Sequence, residues 1–317
     1  MIRILITRVS GMGSIGWIKA IKAIKNQSIV LFGCDFIPYG YSSGSILVDR
    51  FIQSPSINDA EAYCSFLCDI CNSNRIDLVL SVFDDELELL YSISNKISSK
   101  LIIPDSQTIR LFRDKKRATI EIEKLGISVP NILTSLFNEE MIIFRPITSI
   151  GSRGITVIDL KTEEYIKNYF NSDYFLQRYI KGNEYTVDVI ADINGKPKMI
   201  IPRKRIEIRQ GISFKCQIEY NTRLINNCWK IYEKFHLPGI TNVQFITSHQ
   251  KDYFIELNPR LGGTAIASVL SSFNFVEPLI ENVLYGKEMD SYENNMKKVK
   301  WGTIVTRYYE ETIHSSL

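Results

Sequence analysis

The sequence of 317 residues has few histidines, no long apolar run and no large excess of either charge. Its 3 histidines, His236, His249 and His314, are isolated, so no zinc-binding spacing is present. No apolar run approaches a membrane span, and Arg3 and Arg8 interrupt the N-terminal apolar segment, so we expect neither a membrane anchor nor a signal peptide. The net charge of +3 is spread along the chain and does not indicate nucleic acid or a membrane as partner. We therefore expect a soluble cytoplasmic protein.

The cysteines include one arrangement that resembles a cofactor site. Cys64, Cys68 and Cys71 have the C-x3-C-x2-C spacing with which radical enzymes hold an iron–sulfur cluster. The segment 61–72 has the pattern of a helix, however, and on a helix these positions form a stripe about 10 Å long, because each residue rises about 1.5 Å. Thiolates spaced in this way cannot meet at one cluster, so the sequence favours a stripe of core residues.

The composition, with 45% hydrophobic and 23% charged residues, is that of a globular protein long enough for two or three domains. The first third of the chain has the pattern of a βαβ fold with buried parallel strands, and Pro104 ends it. A second helical segment is predicted at 114–125. The elements predicted before Pro104 are strands at 2–7, 29–34, 76–83 and 101–103, helices at 17–25 and 61–72, and three acidic residues, Asp84, Asp85 and Glu86, after the third strand.

A glycine turn, Gly11–Gly16, joins the first strand to the first helix. It is a full G-x-G-x-x-G, and Asp35 ends the next strand about 20 residues on, which together form the dinucleotide-binding fingerprint. The helix N-terminus could hold an anion, and Asp35 could accept a hydrogen bond from a ribose hydroxyl. An NAD-dependent dehydrogenase is therefore a rival hypothesis. The same glycines also suit any tight turn, and no hydride-transfer site follows.

Oxygen-bearing side chains stand on two apolar strands, at 242–245 and 255–260. Residues two apart in a strand share a face, so Glu256 and Asn258 point the same way, and a polar turn at 248–252 can bring Gln244 beside them. Hard oxygen ligands with few carboxylates suit Mg²⁺ that already carries nucleotide phosphates. A hairpin with one solvated face is the alternative.

The middle of the chain indicates phosphate chemistry. Arg145 ends a strand and precedes the loop 147–154, whose glycines and small hydroxyl residues would let backbone N–H groups approach an anion, although a solvated hairpin loop has the same composition. Farther on, Glu184, Thr186 and Asp188 share the face of a strand. A run of cations at 203–209 follows on another strand, where such runs are usually solvated.

These segments, taken in order, resemble the ATP-grasp superfamily, and within it stand-alone proteins similar to the synthetase unit of the carbamoyl phosphate synthase large subunit. The resemblance implies an α/β and α+β fold, in which a Rossmann-like pre-ATP-grasp domain at 1–104 precedes a two-lobed ATP-grasp module. The small lobe with the phosphate loop would span 105–180, and the large lobe with the metal site 181–317. The segments that carry the resemblance are Asp114-Lys115, Phe144-Arg145-Pro146 with its Gly/Ser loop, Gln177 to Glu184, Pro202 to Arg205, Asn242 to Phe245, and Glu256 to Arg260.

The resemblance also implies a role for each matching residue. Lys115 and Arg145 would contact nucleotide phosphates, and Arg260 would steady the transferred phosphoryl group and the acyl phosphate. One or two Mg²⁺ ions would bind the three oxygen ligands on the paired strands, Gln244, Glu256 and Asn258. The remaining contacts to ATP would come from the loop residues Ser149, Gly151, Ser152 and Gly154, from Gln177 at the adenine edge, from the backbone of Arg178, Tyr179 and Ile180, and from Glu184 at the ribose.

The implied reaction is that of an ATP-dependent carboxylate–amine ligase. A small-molecule carboxylate would attack ATP, and an amine or other nucleophile would then attack the acyl phosphate, with release of ADP and phosphate. Positioning and electrostatics carry such a transfer, so no side-chain nucleophile is required. Arg203, Arg205 and Arg209 are candidates for holding the acceptor carboxylate, unless they are exposed strand residues.

Two further expectations concern the class of protein. The chain shows one ATP-grasp unit, no glutaminase segment and no allosteric domain, so we do not expect carbamoyl phosphate synthesis. A catalytically silent ATP-binding protein is an alternative, but such a protein would have lost metal ligands or phosphate cations, and none of these positions is lost here. A homodimer is possible, since dimers are common among relatives.

Overall fold

A computed structural model of the chain describes residues 1–134, 141–148, 154–159 and 173–315. Within these ranges the strands form a five-stranded, a three-stranded and a six-stranded sheet. The order, a Rossmann-like sheet followed by two antiparallel sheets, confirms the predicted fold class. The predicted domain boundaries at residues 104 and 180 stay predictions. No helix among the described residues is long and apolar enough to cross a membrane.

The N-terminal sheet is parallel, with strand order β3-β2-β1-β4-β5. Its third strand in sequence, Arg50–Gln53, was not predicted, because four half-exposed residues carry little apolar signal. The first helix begins at Met12, inside the glycine motif, so the glycines belong partly to the helix. The elements are β1 (Ile2–Thr7), α1 (Met12–Lys22), β2 (Ile29–Asp35), α2 (Ser43–Leu47), β3 (Arg50–Gln53), α3 (Ala60–Ser73), β4 (Leu78–Leu80), a 3-10 turn (Asp84–Glu86), α4 (Leu87–Ile93) and β5 (Lys100–Leu101).

Helix α3 carries the cysteine stripe. Cys71 is buried beside Tyr63 and Leu67 in the core under the N-terminal sheet, and Cys64 and Cys68 are half-buried at its edge. The cysteines of the chain are free thiols. The prediction of a core stripe is confirmed, because the helix is unbroken and its spacing faces the sheet.

The six-stranded sheet is antiparallel, with strand order β13-β12-β9-β10-β11-β14. Helix α7 packs on this sheet through an apolar face, because its buried residues Leu224, Cys228 and Ile231 recur at helical spacing. Asn221 caps the first turn of the helix. The elements are β9 (Asn183–Ala191), β10 (Pro197–Arg209), β11 (Ile212–Ile218), α7 (Thr222–Lys234), β12 (Gly239–Ser248), β13 (Lys251–Asn258), α8 (Ile266–Leu270), α9 (Val276–Tyr285), α10 (Tyr292–Met296) and β14 (Ile304–Thr306).

Two short helices, α5 (Ser106–Arg113) and α6 (Lys115–Glu123), connect the N-terminal sheet to the rest of the chain. Aspartates cap both: Asp105 accepts from two N–H groups of α5, and Asp114 accepts from one of α6. Their apolar faces pack with the core of the six-stranded sheet, as Phe112 and Ile122 show. This packing holds Lys115, the first residue of α6, against the sheet edge.

The small sheet contains β6 (Met141–Pro146), β7 (Thr156–Asp159) and β8 (Tyr174–Arg178) in the order β7-β6-β8. Ile142, Phe144 and Leu176 form its own small core. Strand β6 ends at Arg145 and Pro146, so the small sheet delivers Arg145 to the neighbouring lobe. The predicted loop residues Ser149, Gly151 and Ser152 lie outside the described residues.

The N-terminal sheet and the six-stranded sheet share one apolar core. Ile4 of the first sheet and Trp17 of the helix α1 beside it belong to the same cluster of buried residues as Ile201 and Ile240 of the second sheet and Phe275, which precedes α9. Since burial of apolar area is the main favourable contribution to folding, the two domains are held together by the same force that folds each. The groups at their junction are therefore fixed relative to one another.

Candidate active site

The predicted hairpin forms as β12 and β13. Its register pairs Gln244 with Glu256 and Asn242 with Asn258, so the three predicted metal ligands lie on one face of the six-stranded sheet. Asn258 Nδ2 donates to Asn242 Oδ1 and to Glu256 Oε1, each at 3.1 Å. These two bonds turn the amide oxygen of Asn258 outward, where Arg260 donates to it at 3.3 Å.

Glu256 lies between two cations that other elements provide. Its Oε2 is 3.5 Å from an NH2 group of Arg145 on β6 and 3.9 Å from Nζ of Lys115 on α6. Burial alone would raise the pKa of Glu256, but Lys115 and Arg145, with Asn258 and Arg260, lower it below its usual value. Burial in turn lowers the pKa of Lys115 and of Arg145. Both distances are longer than those of a tight ion pair.

Arg145 keeps hydrogen-bonding capacity within this buried cluster. One amino group donates to Gln177 Oε1 at 3.3 Å, and Gln177 Nε2 donates in turn to the carbonyl of Pro130 at 3.3 Å. Arg145 Nε is buried and makes no hydrogen bond to the described part of the protein. Buried donors in folded proteins are nearly always hydrogen-bonded, so this N–H group is available to a water molecule or a ligand. Gln177, predicted to face adenine, is buried with both amide groups bonded.

Arg205 connects two predicted binding residues on the same face. Its NH1 group donates to Glu184 Oε2 at 3.0 Å and to Gln244 Oε1 at 3.3 Å, and its NH2 group donates to the carbonyl of Gly211 at 2.7 Å. Its Nε is also buried without a partner among the described residues. Burial lowers the pKa of Arg205, which Glu184 counteracts. Arg205 therefore stands between the predicted ribose and metal residues.

The other two arginines predicted to hold an acceptor lie elsewhere. Arg203 is fully buried, and its guanidinium donates twice to Asp188, at 2.6 and 2.9 Å, and once to Thr264. Burial lowers its pKa, but the adjacent carboxylate raises it above the usual value. Arg209 is exposed and stacks on Phe214, with the guanidinium carbon 3.6 Å from the ring centre. A run of charged residues does not show which strand positions point into the core.

The predicted adenine segment continues from β8 of the small sheet. The N–H groups of Arg178 and Tyr179 donate to the carbonyls of Asn131 and Met141, while Ile180 is half-buried beyond the strand. Gly154, the described part of the predicted phosphate loop, has a φ of +75°, and a Cβ there would lie 3.0 Å from Pro146. Glycine thus allows the loop to return closely to the end of β6.

Arg260 follows β13 and reaches the N-terminal domain. Its Nε and NH2 groups both donate to Oδ2 of Asp84, at 3.0 and 2.6 Å. Asp84 was not among the predicted site residues. Its position carries a signal nonetheless, because it follows a buried parallel strand, and ligands of open α/β sheets bind at the carboxyl ends of such strands.

A cleft of about 470 Å³ lies beside these groups. It is bounded by the N-terminal domain, by α5 and α6, by the small sheet and by the end of β13. Its lining therefore combines predicted phosphate and metal residues with residues of the first domain. These include Asp84, Asp85, Leu87, Phe112, Lys115, Thr148, Gly154, Tyr174 and Asn258.

The glycine turn that suggested NAD is covered by protein. A Cβ on Gly13 would lie 2.7 Å from Cα of Gly263, and Trp17 Nε1 donates to the carbonyl of Gly262 at 3.2 Å. Asp35 is buried and accepts from two backbone N–H groups, those of Ser10 and Ile37. The backbone after β13 thus occupies the approach to the helix N-terminus, and the dehydrogenase hypothesis lacks the space it needs. The glycines permit close packing of two backbones.

Comparisons with known protein families agree with this arrangement. Residues 171–305 match the family described as ATP-grasp in the biosynthetic pathway with Ter operon, and residues 12–103 match the PylC-like N-terminal domain. The uncharacterized protein MJ0776 of Methanocaldococcus jannaschii is 23% identical over 198 residues, which are 59% of this chain and 50% of that protein. The chain thus spans about half the length of this relative.

Several solved structures have the same fold. A biotin carboxylase–ATP analogue complex from Campylobacter jejuni matches with a TM-score of 0.72 and 16% identity, over 96% of this chain and 74% of that one. The N5-carboxyaminoimidazole synthetase from Staphylococcus aureus complexed with ADP matches with a TM-score of 0.72 and 16% identity, over 92% and 79%. An L-amino acid ligase from Bacillus licheniformis matches with a TM-score of 0.66 and 15% identity, over 90% and 74%. The chain thus matches an ATP-grasp family model over residues 171–305 and has the same fold as these carboxylase, synthetase and ligase structures.

Proposed function

We propose that the protein is an ATP-dependent ligase that activates a small-molecule carboxylate as an acyl phosphate and passes the acyl group to an amine or other nucleophile. The observation that carries the proposal is the cluster around Glu256, in which one carboxylate faces Arg145 and Lys115 from two other elements. The buried Nε of Arg145 adds a donor that has no partner among the described residues. Such a cluster suits a polyanion accompanied by a cation.

The donor set fits Mg²⁺ that arrives with ATP. Glu256 offers a carboxylate, and Gln244 and Asn258 offer amide oxygens, which are hard ligands of the kind that Mg²⁺ takes. Among the described residues no three His, Cys, Asp or Glu side chains group as a metal site of their own. Phosphate oxygens would therefore complete the coordination, as at many nucleotide sites. When bound, MgATP supplies the phosphoryl group and offsets the charge that develops during its transfer.

The chain's own residues would hold the nucleotide in an extended position across the two lobes. We propose that Lys115 and Arg145 donate to phosphate oxygens, while Glu184 accepts from the ribose hydroxyls. The backbone from Arg178 to Ile180 would lie along the adenine. Gly154 and the predicted loop residues Ser149, Gly151 and Ser152 would approach the phosphates with their N–H groups.

The reacting groups would meet in the cleft beside Asn258. Arg260 would donate to the transferred phosphoryl oxygens, and Arg205 is the remaining candidate of the three arginines for the acceptor carboxylate, because it lies next to Gln244. The amine would then replace the phosphate at the acyl carbon. Fixed cations can supply most of such a rate increase through positioning and electrostatics. The names of two solved neighbours, a synthetase and an amino acid ligase, support this reaction class. A homodimer and a cytoplasmic location stay predictions.

The test is ADP release from MgATP over a panel of carboxylic acids, with hydroxylamine as the trapping nucleophile. We expect one class of acid to stimulate ADP release and to yield an acyl hydroxamate, which identifies the acid directly. The matched control for the site is Glu233→Gln, which changes an exposed glutamate of α7, against Glu256→Gln. Binding of MgATP with no turnover on any acid would indicate a catalytically silent protein. Binding of NAD without ATP would refute the proposal.

A further inference from the structure

Asp84 forms an ion pair that crosses from the N-terminal domain to the metal-binding strand. Both Nε and NH2 of Arg260 donate to the same oxygen, Oδ2 of Asp84, at 3.0 and 2.6 Å. The side chain of Asp84 is 21% exposed and that of Arg260 is 14% exposed, so the pair lies largely out of water at the edge of the cleft. A pair of this kind holds the planar guanidinium in one orientation.

The backbone that carries Asp84 is itself held in place. Two residues on, the fully buried Glu86 accepts from Thr7 Oγ1 and Ser81 Oγ, each at 2.6 Å, and from the hydroxyl of Tyr63. Burial raises the pKa of Glu86, and these hydroxyl groups act in the opposite direction. The three bonds anchor the short turn between β4 and α4 to the core, so Asp84 has little freedom to follow a moving partner.

The backbone that carries Arg260 is held by the same domain. Gly262 accepts from the indole of Trp17, and the glycine turn approaches Gly263 so closely that a Cβ on Gly13 would lie 2.7 Å from its Cα. Leu261, between Arg260 and Gly262 in the chain, is buried in the shared core. The N-terminal domain thus fixes both the main chain beside Arg260 and its side chain.

This arrangement leaves one part of the guanidinium for a ligand. Nε and NH2 of Arg260 are used by Asp84, and NH2 also reaches Oδ1 of Asn258 at 3.3 Å. NH1 makes one long bond, of 3.4 Å, to the carbonyl of Leu261. Asn258 is a proposed metal ligand and accepts from NH2, so the end of the guanidinium that carries NH1 and NH2 lies at the edge of the place where the phosphates and the metal would meet.

We propose that Asp84 is a positioning residue for phosphoryl transfer, which holds Arg260 so that its NH1 group meets the transferred phosphoryl group at the carboxylate acceptor. The inference rests on the proposed function of the site and adds to it that the N-terminal domain contributes a group to the chemistry. Asp84 itself would touch neither ATP nor the acceptor. A guanidinium that is already held in place does not have to be reoriented when negative charge develops on the transferred phosphoryl group. This preorganisation is how Asp84 would increase the rate.

The test uses MgADP with aluminium fluoride, which imitates a phosphoryl group in transfer, and compares the wild-type chain with Asp84→Asn. We expect the fluoride-dependent gain in MgADP affinity to fall at least about tenfold in the variant, because a charge-assisted contact is lost. Affinity for MgATP, measured by titration calorimetry, should change by less than about twofold, since ground-state contacts come from other residues. A general loss of structure would weaken both.

A double-mutant cycle separates positioning from a structural role. In an Arg260→Gln background, Asp84→Asn should have no further effect on the fluoride-dependent gain, because the carboxylate would act through that arginine alone. The control is Glu281→Gln. Glu281 also makes a contact between the two domains, because its carboxylate accepts a hydrogen bond from Gln27 Nε2 at 3.0 Å, but Glu281 does not line the cleft. The control should behave like wild type.

The possible results lead to different conclusions. A wild type that does not bind MgATP would refute the proposed function itself. If the wild type binds MgATP, the inference on Asp84 is overturned by an unchanged gain in Asp84→Asn, by an equal loss in the Arg260→Gln background, or by no fluoride-dependent gain in the wild type. A loss in Asp84→Asn that disappears in that background supports it.

Discussion

Two clusters of buried charge lie on one face of the six-stranded sheet and have opposite character. Asp188 holds Arg203 at 2.6 and 2.9 Å, and the hydroxyl of Ser268 donates to the same carboxylate at 2.6 Å. Glu256 faces Arg145 and Lys115 at 3.5 and 3.9 Å. Both clusters follow from the pairing of neighbouring strands. Asn242 of β12 pairs with Asp188 of β9 on one side and with Asn258 of β13 on the other, so the two clusters lie side by side on the sheet.

The two clusters differ in how completely their charged groups are hydrogen-bonded and paired. The bonds of Arg203 are short, and its pKa is raised because Asp188 outweighs the cost of burial. For the two cations of the second cluster burial outweighs the pairing, so the pKa of Lys115 and that of Arg145 are lowered, although the pKa of Glu256 is lowered as well. Arg145 Nε has no partner in the described residues. A fully bonded polar cluster fixes one packing arrangement, whereas strongly perturbed groups in a cleft are candidates for function. Buried charge alone therefore does not identify a site.

The largest expected effect breaks the satisfied cluster. Asp188→Asn leaves the fully buried guanidinium of Arg203 without its counter-charge, so we expect the free energy of unfolding to fall by about 3–5 kcal/mol. Urea denaturation followed by circular dichroism measures it. A loss below about 1 kcal/mol would show that this cluster is no more structural than an exposed ion pair.

Breaking the second cluster should affect activity more than stability. Glu256→Gln removes the carboxylate at the proposed metal site, so we expect ADP release to fall at least about a hundredfold while the chain stays folded. The loss of stability should be smaller than for Asp188→Asn, because Glu256 is 23% exposed and its contacts are longer. Unchanged turnover would count decisively against the site.

A third substitution tests the support behind Arg260. Gly13→Ala would place a Cβ 2.7 Å from Cα of Gly263, so one backbone must move, and overpacking of this kind costs about 1–3 kcal/mol. We expect a lower melting temperature together with lower ADP release. The control is Gly286→Ala, which has a φ of +67° and open space around it. That variant should lose stability through backbone strain and keep its ADP release.

A pH titration sharpens the comparison. The pKa of Glu256 in the folded chain lies below its usual value, so its ionised form stabilises the fold above the unfolded pKa of about 4.3. That contribution is lost as the pH falls through the folded pKa. The stability difference between wild type and Glu256→Gln should therefore be present at pH 7 and shrink in acid. A difference that grows below about pH 4 would contradict the direction of the shift.

The smallest expected effect concerns the exposed end of β10. Arg209 pairs with Glu207 at the surface, where both side chains are more than a third exposed. Solvent screens such pairs, so Arg209→Ala should leave both the free energy of unfolding and ADP release close to those of the wild type. A large loss of activity would restore Arg209 as an acceptor-binding residue.

The sequence predicted the class of the fold and the hairpin of the site more accurately than it predicted individual arginines. Alternation placed Gln244, Glu256 and Asn258 on one face, because side-chain direction in a strand follows from position alone. Arg203 and Arg205 also share a face, yet one lies in the core and the other beside the proposed ribose and metal residues. Which of two such residues is covered depends on what packs above the sheet, here Thr264 and Ser268 of a distant segment.

The sequence by itself determined local features: the βαβ pattern of the first domain, the helix that begins near Asp114, the oxygen-bearing hairpin and the order of motifs that resembles an ATP-grasp protein. These depend on neighbours along the chain, which periodicity records. Only the tertiary structure decided that the glycine turn packs against Gly263, and that Asp84 pairs with Arg260 across 176 positions of sequence. Contacts between distant segments depend on shape and burial, and a linear pattern of residue types does not contain them.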